Sequence, residues 1–365
     1  MARLGDVCTI YTGTGFPVQY QGSAEGQYPF YKVGDIAKNV TAGNKYLNFC
    51  ENYVDPDVVK KIKGTVLPSR TVVFAKIGEA VKLNRRAITS CECLIDNNAM
   101  GIAPNESVLT LDYFFHYMCQ LRLETLAEAT TVPSVKKSIV ENLDIPVPSI
   151  VEQQVISKTL NKVSELIALR KEQLAKLDQL VKSRFIELFD GKYETKPLAL
   201  VCEELFAGGD VKKDKSSDTQ SEKYPYPIYT NGEKDNGLYG YTSIIRVAKE
   251  AVTISGRGTI GFTCLRKEPF YPAVRLIVAV PKQELISGCY LQHFIQNKNY
   301  GGQGASIPQL TVPMIKDEPI PVPPMELQEQ FAAFVEQTDK SKLAIQQSLD
   351  KLELLKKSLM QEYFG

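Results

Sequence analysis

The sequence predicts an α+β protein of two tandem α+β domains, each followed by a long helix, with the two helices pairing as an antiparallel coiled coil. Three observations support this prediction. The chain of 365 residues is too long for one ordinary core, it repeats itself, and each repeat ends in a long helical pattern. The duplication also implies a pseudo-twofold axis relating the two halves.

The repeat is clearest at IPVP, which occurs at Ile145–Pro148 and again at Ile320–Pro323, an offset of 175 residues. The same offset continues towards the C-terminus, where it pairs Gln153 with Gln328. Further upstream the two copies drift but keep their order, so that YPFYKVGD at 28–35 corresponds to YPIYTNGE at 226–233. The chain is therefore a tandem duplication of one unit with a variable region and a more faithfully repeated tail.

The variable regions carry short β-branched and aromatic runs between Gly, Pro and Asn turns, which is typical of irregular sheet. One helix is predicted in each region, at 110–127 and 286–298. The predicted segments are a first domain at 1–148, a helix at 149–191, a second domain at 192–323 and a second helix at 324–365.

Apolar residues recur in both tails at steps of four and three, the spacing of a coiled-coil seam, with interruptions at Arg170, Thr338 and Lys342. A tail of about 40 residues forms a helix about 60 Å long, and such a helix with one apolar stripe needs a partner. Packing of each helix on its own domain alone is less favoured, because the helix would overrun the domain. The predicted pairing residues are Leu160, Ile167, Leu174, Leu177, Val335, Leu349 and Leu352.

The stretch SGRGTIG at Ser255–Gly261 matches the GxGxxG spacing of dinucleotide-binding loops. The segment after it is aromatic, β-branched and broken by prolines, so the helix that such a loop needs is not predicted. In the repeat, KIGEAV at 76–81 takes its place and keeps only the central glycine, Gly78 against Gly258. A turn after a strand, where glycine supplies positive φ, explains both copies, and we expect no cofactor on this chain.

Catalytic constellations are scarce in this sequence. His116 and His293 occupy equivalent places on equivalent helices, which favours core packing over catalysis. Cys91 and Cys93 alternate without a second pair, which favours a strand edge over a metal site. No phosphate-binding loop, HExxH or GxSxG motif is present.

The bulk properties restrict the function further. A net charge of +1 argues against a protein that binds nucleic acid alone through its overall charge. Apolar runs such as LIVAV at 276–280 are too short to span a bilayer, and the N-terminal residues do not form a secretion signal. We therefore expect a cytoplasmic protein with reduced cysteines and no membrane partner.

Basic and amide residues on the domain loops are the candidates for nucleic-acid contact, because Arg and Asn read bases while Lys holds phosphates. Arg257 is the strongest candidate, since glycines on both sides let the backbone approach a ligand. The candidates are Lys32, Lys76, Lys82, Arg85 and Arg86 in the first domain, and Lys212, Lys213, Asn231, Lys234, Arg257, Lys298 and Asn299 in the second.

Two diverged regions, each ending in IPVP, a Glu/Gln-containing helix start and a long helix, resemble the specificity subunit of Type I restriction-modification systems. The helix starts read SIVEQQ at 149–154 and PMELQEQ at 324–330, and the resemblance covers nearly the whole chain. It implies two target recognition domains, each reading one half of a bipartite double-stranded DNA target. The helices would then set the spacing of the two halves and dock modification subunits.

The same resemblance implies a non-catalytic subunit. Methylation and cleavage would belong to two modification (methyltransferase) subunits and to restriction (helicase-nuclease) subunits, with S-adenosylmethionine, ATP and magnesium on those partners. Two alternatives remain open. A duplicated enzyme requires a catalytic cluster that the sequence lacks, and a coiled-coil scaffold that binds only proteins does not explain why the domains diverge while the helices stay similar.

Overall fold

The computed structural model describes residues 1–127, 132–298, 300 and 309–365, and the chain forms two compact units. Unit 1 comprises Met1–Arg170 with Ser348–Gly365, and unit 2 comprises Lys171–Gln347. Each unit thus contains one of the predicted domains and a part of each long helix. The boundaries at 1–148, 149–191, 192–323 and 324–365 follow the sequence pattern and stay a prediction.

A five-stranded sheet forms the core of unit 1, and its neighbouring strands are antiparallel except for the last pair. Its strand order is Cys8–Thr12, Ala99–Pro104, Val72–Ala75, Arg86–Thr89 and Tyr46–Leu47. Every residue of the two strands Val72–Ala75 and Arg86–Thr89 is buried, because the sheet is covered on both faces. The remaining strands are Tyr53–Val54, Tyr28–Tyr31 and Leu94–Ile95 in a second sheet, and Ala2–Arg3 paired with Asp144–Ile145.

The helices of unit 1 are short except for the long ones described below. They are Leu4–Val7, Val33–Thr41, Pro56–Lys61, Leu111–Gln120, Leu123–Leu126 and Lys137–Glu141, with 3-10 turns at Val18–Tyr20 and Glu79–Val81. The predicted helix at 110–127 is therefore two helices. It breaks because Leu121 and Arg122 are extended, which frees the Leu121 carbonyl to accept a hydrogen bond from Arg86.

Unit 2 repeats the topology of unit 1. Its main sheet has the order Cys202–Ala207, Ile277–Pro281, Ala251–Ile254 and Thr263–Arg266, all antiparallel, which matches the first four strands of the unit 1 sheet. The other strands are Ser216–Ser217, Leu238–Thr242, Tyr226–Tyr229 and Tyr271–Pro272 in a second sheet, and Thr195–Pro197 paired with Pro319–Pro321. The shorter helices are Leu198–Val201, Gly288–Asn297 and Val312–Ile315, with 3-10 turns at Lys213–Lys215 and Lys234–Gly237.

The two long helices run over Ile150–Phe189 and Met325–Phe364, 40 residues each, as predicted. A capping box starts the first one: the Glu152 carboxylate accepts a hydrogen bond from the Ser149 backbone N–H at 2.9 Å, and the Glu152 N–H donates to Ser149 Oγ at 3.3 Å. This pair satisfies backbone donors that would otherwise lack partners at the helix start.

The helix pairing is antiparallel within each unit. In unit 2, Val181 and Phe185 near the end of the first long helix share a core with Phe331 and Val335 near the start of the second. In unit 1, Ile156 near the start of the first helix packs on the same core as Phe364 at the end of the second. The coiled-coil prediction is thereby confirmed.

The predicted pairing residues lie on the covered side of the helices. Leu160, Val335 and Leu349 are buried, and Ile167, Leu174, Leu177 and Leu352 are half-buried. The polar interruptions in the second helix are accommodated, since Thr338 donates to the Phe334 carbonyl at 2.9 Å and Lys342 forms an ion pair with Asp178 at 2.6 Å.

Buried glutamines hold each domain to the long helix that follows it. Gln153 accepts from the Thr110 N–H at 2.8 Å and donates to the Val108 carbonyl at 2.8 Å and the Pro148 carbonyl at 2.9 Å. Gln328 does the same in unit 2 with Ser287, Leu285 and Pro323. The repeat at Gln153 and Gln328 therefore preserves a structural junction.

Candidate nucleic-acid interface

The glycine stretch of unit 2 is a hairpin turn between the antiparallel strands Ala251–Ile254 and Thr263–Arg266. Gly258 and Gly261 have φ values of +67° and +81°, the left-handed region that favours glycine. A strand follows the turn where a dinucleotide-binding loop needs a helix, so the GxGxxG spacing is the spacing of a turn.

The corresponding turn of unit 1 confirms the alignment of the two copies. Gly78 has a φ of +80°, and the Val135 N–H donates to the Lys76 carbonyl at 2.8 Å. In unit 2 the Leu310 N–H donates to the Gly256 carbonyl at 2.9 Å. Each turn is thus tied to the segment just after the paired prolines, Pro133 and Pro308, of which Pro308 itself lies outside the described residues.

Arg257 is exposed on the turn of unit 2, and its Nη2 atom donates to the Gln309 side chain at 3.3 Å. Residue type alone does not identify Gln309 as part of this turn. The signal that identifies it is the repeat, which aligns the segment at 309–310 with the segment that holds the turn of unit 1. Asn231 lies beneath the turn, where its side chain accepts a hydrogen bond from the Gly256 N–H at 2.8 Å.

The basic candidates of unit 1 differ in their surroundings. Lys32 is half-buried, with its Nζ atom 2.5 Å from Gln21 Oε1 and 5.6 Å from the centre of the Phe16 ring. Lys82 is exposed and forms an ion pair with Glu79 at 2.9 Å. Lys76 and Arg85 are half-buried. DNA contact by Lys32, Lys76, Lys82 and Arg85 remains a prediction.

The structure does not support Arg86 as a DNA contact. Its side chain is only 5% exposed, and its guanidinium donates to the carbonyls of Asn84 at 2.9 Å and Leu121 at 2.5 Å. Burial lowers the pKa of Arg86 to about 10, which still leaves it charged at neutral pH. Arg86 therefore holds the break between two helices of unit 1 and does not face a ligand.

Three other candidates of unit 2 lie on its surface. Lys212 and Lys234 are exposed, and Lys298 forms an ion pair with Glu318 at 2.7 Å. Asn299 and the side chain of Lys213 lie outside the described residues.

The two histidines are packing residues. His116 is buried with its Nε2 atom 2.8 Å from Asn161 Oδ1, and burial lowers the pKa of His116 to about 4. His293 lies against Phe331 with ring centres 5.0 Å apart, and burial also lowers its pKa. Both imidazoles are neutral at pH 7 and lie within the packing, as the sequence predicts.

The cysteine pair at 91 and 93 differs in exposure. Cys93 is buried and Cys91 is exposed, and no group of three or more His, Cys, Asp or Glu side chains in the described part of the chain could hold a metal ion. Within those same residues, no helix combines the length and apolar character needed to cross a membrane.

Two copies of one sheet, each presenting a glycine turn and each followed by a long helix, define a tandem two-domain protein. The family model of the Type I restriction modification DNA specificity domain matches residues 1–179 and again 191–355, so the chain belongs to this family. Specificity subunits of this family are generally non-catalytic and recognise DNA sequence.

Relatives cover almost the whole chain. A Mycoplasma pneumoniae protein described as a type I specificity subunit is 25% identical over 91% of this chain and 86% of its own length. The MjaVIII specificity subunit of Methanocaldococcus jannaschii, described as part of a type I restriction enzyme, is 24% identical over 99% of this chain and 90% of its own length.

Solved structures share the fold. The S subunit of a Type I restriction-modification system from M. genitalium matches with a TM-score of 0.60 at 15% identity, covering 100% of this chain and 95% of that one. A chain from a structural study of complex assembly and conformational transition in the type I system matches with a TM-score of 0.63 at 17% identity, over 99% of this chain and 96% of its own.

Proposed function

We propose that this chain selects the DNA target of a Type I restriction-modification complex, with each domain reading one half of a bipartite sequence. The repeated turn is the observation that carries the proposal. Gly78 and Gly258 follow equivalent strands and both have a positive φ, while the residues before them differ, Ile77 in one copy and Arg257 in the other. Equivalent scaffolds that present different side chains suit two half-sites of different sequence.

Partner subunits complete the proposed binding site. The chain has a net charge of +1, whereas tight DNA binding depends on neutralising several phosphates. Local patches such as Lys76 and Lys82 supply only part of that charge. We therefore expect tight, sequence-selective binding when modification subunits are present, and weak binding by the chain alone.

The outer faces of the long helices are the proposed docking sites for two modification subunits. Leu180 is 48% exposed and Leu355 is 46% exposed, and these leucines occupy equivalent positions in the repeat. Because the same repeat position carries an exposed leucine on both helices, we assign one modification subunit to each outer helix face. S-adenosylmethionine, ATP and magnesium would bind to the modification and restriction subunits, which carry out the chemistry.

A scaffold that binds only proteins is the competing function. It accounts for the helices and for exposed leucines, but it gives no reason for a solvent-exposed arginine on a turn held by the domain core. DNA recognition explains the helices and the exposed leucines as well, and it also explains the exposed arginine on the turn.

Selection of bound duplexes from a random library tests the proposal. The chain would be purified with a modification subunit, and bound DNA would be sequenced after several rounds. We expect two short preferred blocks separated by unselected positions. Recovery of unselected DNA, or of one uninterrupted block, would contradict the proposal.

A further inference from the structure

We propose that Asn231 is a positioning residue that fixes the glycine turn of unit 2, so that Arg257 approaches DNA in one orientation. The inference rests on the proposed function, since it requires the turn to face DNA. The sequence places Asn231 among the residues that contact bases. In the structure its side-chain amide is used inside the protein.

Both ends of the Asn231 amide are bonded to backbone. Its Oδ1 atom accepts from the Gly256 N–H at 2.8 Å, and its Nδ2 atom donates to the Val274 carbonyl at 3.1 Å. The Gly256 carbonyl accepts in turn from the Leu310 N–H at 2.9 Å. The residue before Arg257 is therefore held at both its amide and its carbonyl, which fixes the backbone from which the arginine projects.

Gly256 lies so close to its neighbours that only glycine fits. A Cβ atom there would lie 2.7 Å from the Leu310 carbonyl oxygen and 2.8 Å from that of Arg275. Both contacts are with backbone, which does not move aside as a side chain would. In contrast, a Cβ atom on Gly209 in the same unit meets only the Tyr271 hydroxyl, at 3.8 Å. The Asn231 bond therefore acts on a backbone segment that already has little room.

The two units hold this position of the turn by different means. In unit 1 the equivalent amide, that of Lys76, donates to the backbone carbonyl of Asn98 at 2.8 Å. The alignment of YPFYKVGD with YPIYTNGE places Val33 opposite Asn231, so among the described residues of unit 1 a backbone carbonyl takes this role. Only the turn of unit 2 depends on an asparagine, and loss of Asn231 should affect only one half of the target.

The first test uses the free chain and needs no DNA. We expect Asn231→Ala to speed amide exchange of the 255–261 segment by about fivefold, because it removes the hydrogen bond from the Gly256 N–H, whose net strength should be ordinary. Asn297→Ala, an exposed asparagine of the same unit, is the matched control and should leave exchange of that segment unchanged. Gly256→Ala should act like Asn231→Ala, and Gly209→Ala should not.

The second test repeats the duplex selection with the same variants and with Arg257→Ala. We expect Asn231→Ala to lower the preference by about fivefold at the base position that Arg257→Ala affects. The first half-site should stay unchanged, and the double variant should be no weaker at that position than Arg257→Ala alone.

The inference is overturned if Asn231→Ala leaves the base preference unchanged. It is also overturned if Asn231→Ala lowers the base preference equally at every position of the second half-site and speeds amide exchange throughout unit 2. It also fails if Arg257→Ala affects no base position while the parent chain still selects a bipartite target, a result that leaves the proposed function standing. A parent chain that selects no sequence would overturn the proposed function and the inference together.

Discussion

Replacing Gln153 with leucine should weaken the attachment of the first domain to its long helix and lower the free energy of unfolding of unit 1. Gln153 is fully buried, and its amide joins three backbone groups that belong to different segments of unit 1. Leucine has a similar size but neither a donor nor an acceptor. The Thr110 N–H and the carbonyls of Val108 and Pro148 would each lose this partner.

The expected cost follows from these three bonds. A buried backbone group left without a partner costs about 1 to 3 kcal/mol. Burial of the leucine side chain returns about 1.5 to 3 kcal/mol. Three such groups cost about 3 to 9 kcal/mol, so the net loss of unfolding free energy should be about 2 to 6 kcal/mol. A loss of this size lowers the melting temperature by roughly 4 to 24 °C for a unit of this length.

Gln154→Leu is the control, because Gln154 is the next residue of the same helix and is exposed. Both variants would be compared by guanidinium denaturation, with hydrogen exchange used to assign the loss to unit 1. A Gln153→Leu variant no less stable than Gln154→Leu would show that the buried amide contributes nothing to stability.

Three further predictions concern the reading residue, the helix pair and the buried histidine. Arg257→Ala should weaken binding to the second half-site by about 1 to 3 kcal/mol and leave thermal unfolding unchanged. If the variant and the parent chain bind the selected duplex with equal affinity in a titration, Arg257 does not contact a base. Leu177→Glu should destabilise unit 2 by about 1 to 3 kcal/mol, since it puts a charge on the half-buried seam. Leu180→Glu should change stability little but should weaken capture of modification subunits. Similar unfolding midpoints for the two variants would contradict the helix pairing. Burial lowers the pKa of His116 from 6.5 to about 4, so the unfolded chain takes up the proton first, and stability that is complete above pH 6.5 should fall by up to about 3 kcal/mol as the pH drops to 4. His116→Gln should flatten that part of the stability profile, and an equally steep profile in the variant would disprove the assignment.

The sequence predicts the repeated parts of the fold well, because they follow simple periodic rules. The long helices, the seam and the paired glycines of the turns all appear where the pattern places them. The repeat adds information that a single copy lacks, since Gly78 identifies Gly258 as a turn residue and not as part of a phosphate-binding loop.

The candidate contact residues are harder to predict, because residue type does not show where a side chain points. Arg86 and Arg85 are neighbours in the sequence, yet the guanidinium of Arg86 bonds to backbone inside unit 1. Asn231 has the side chain of a base reader but supports the turn that carries Arg257. Both outcomes depend on contacts between residues far apart in the chain, which composition and spacing do not reveal.

The spacer length selected by a shortened chain tests most directly whether two domains read two half-sites at a distance set by the helices. Deleting Leu166–Glu172 and Ser341–Gln347 removes one heptad from each long helix, shortens each by about 10 Å and keeps the seam in register. Duplexes selected from a library with randomised spacers should then have spacers shorter by about three base pairs, at about 3.4 Å per base pair, with both half-site sequences unaltered. An unchanged spacer in a folded, DNA-binding variant would show that the helices do not set the distance.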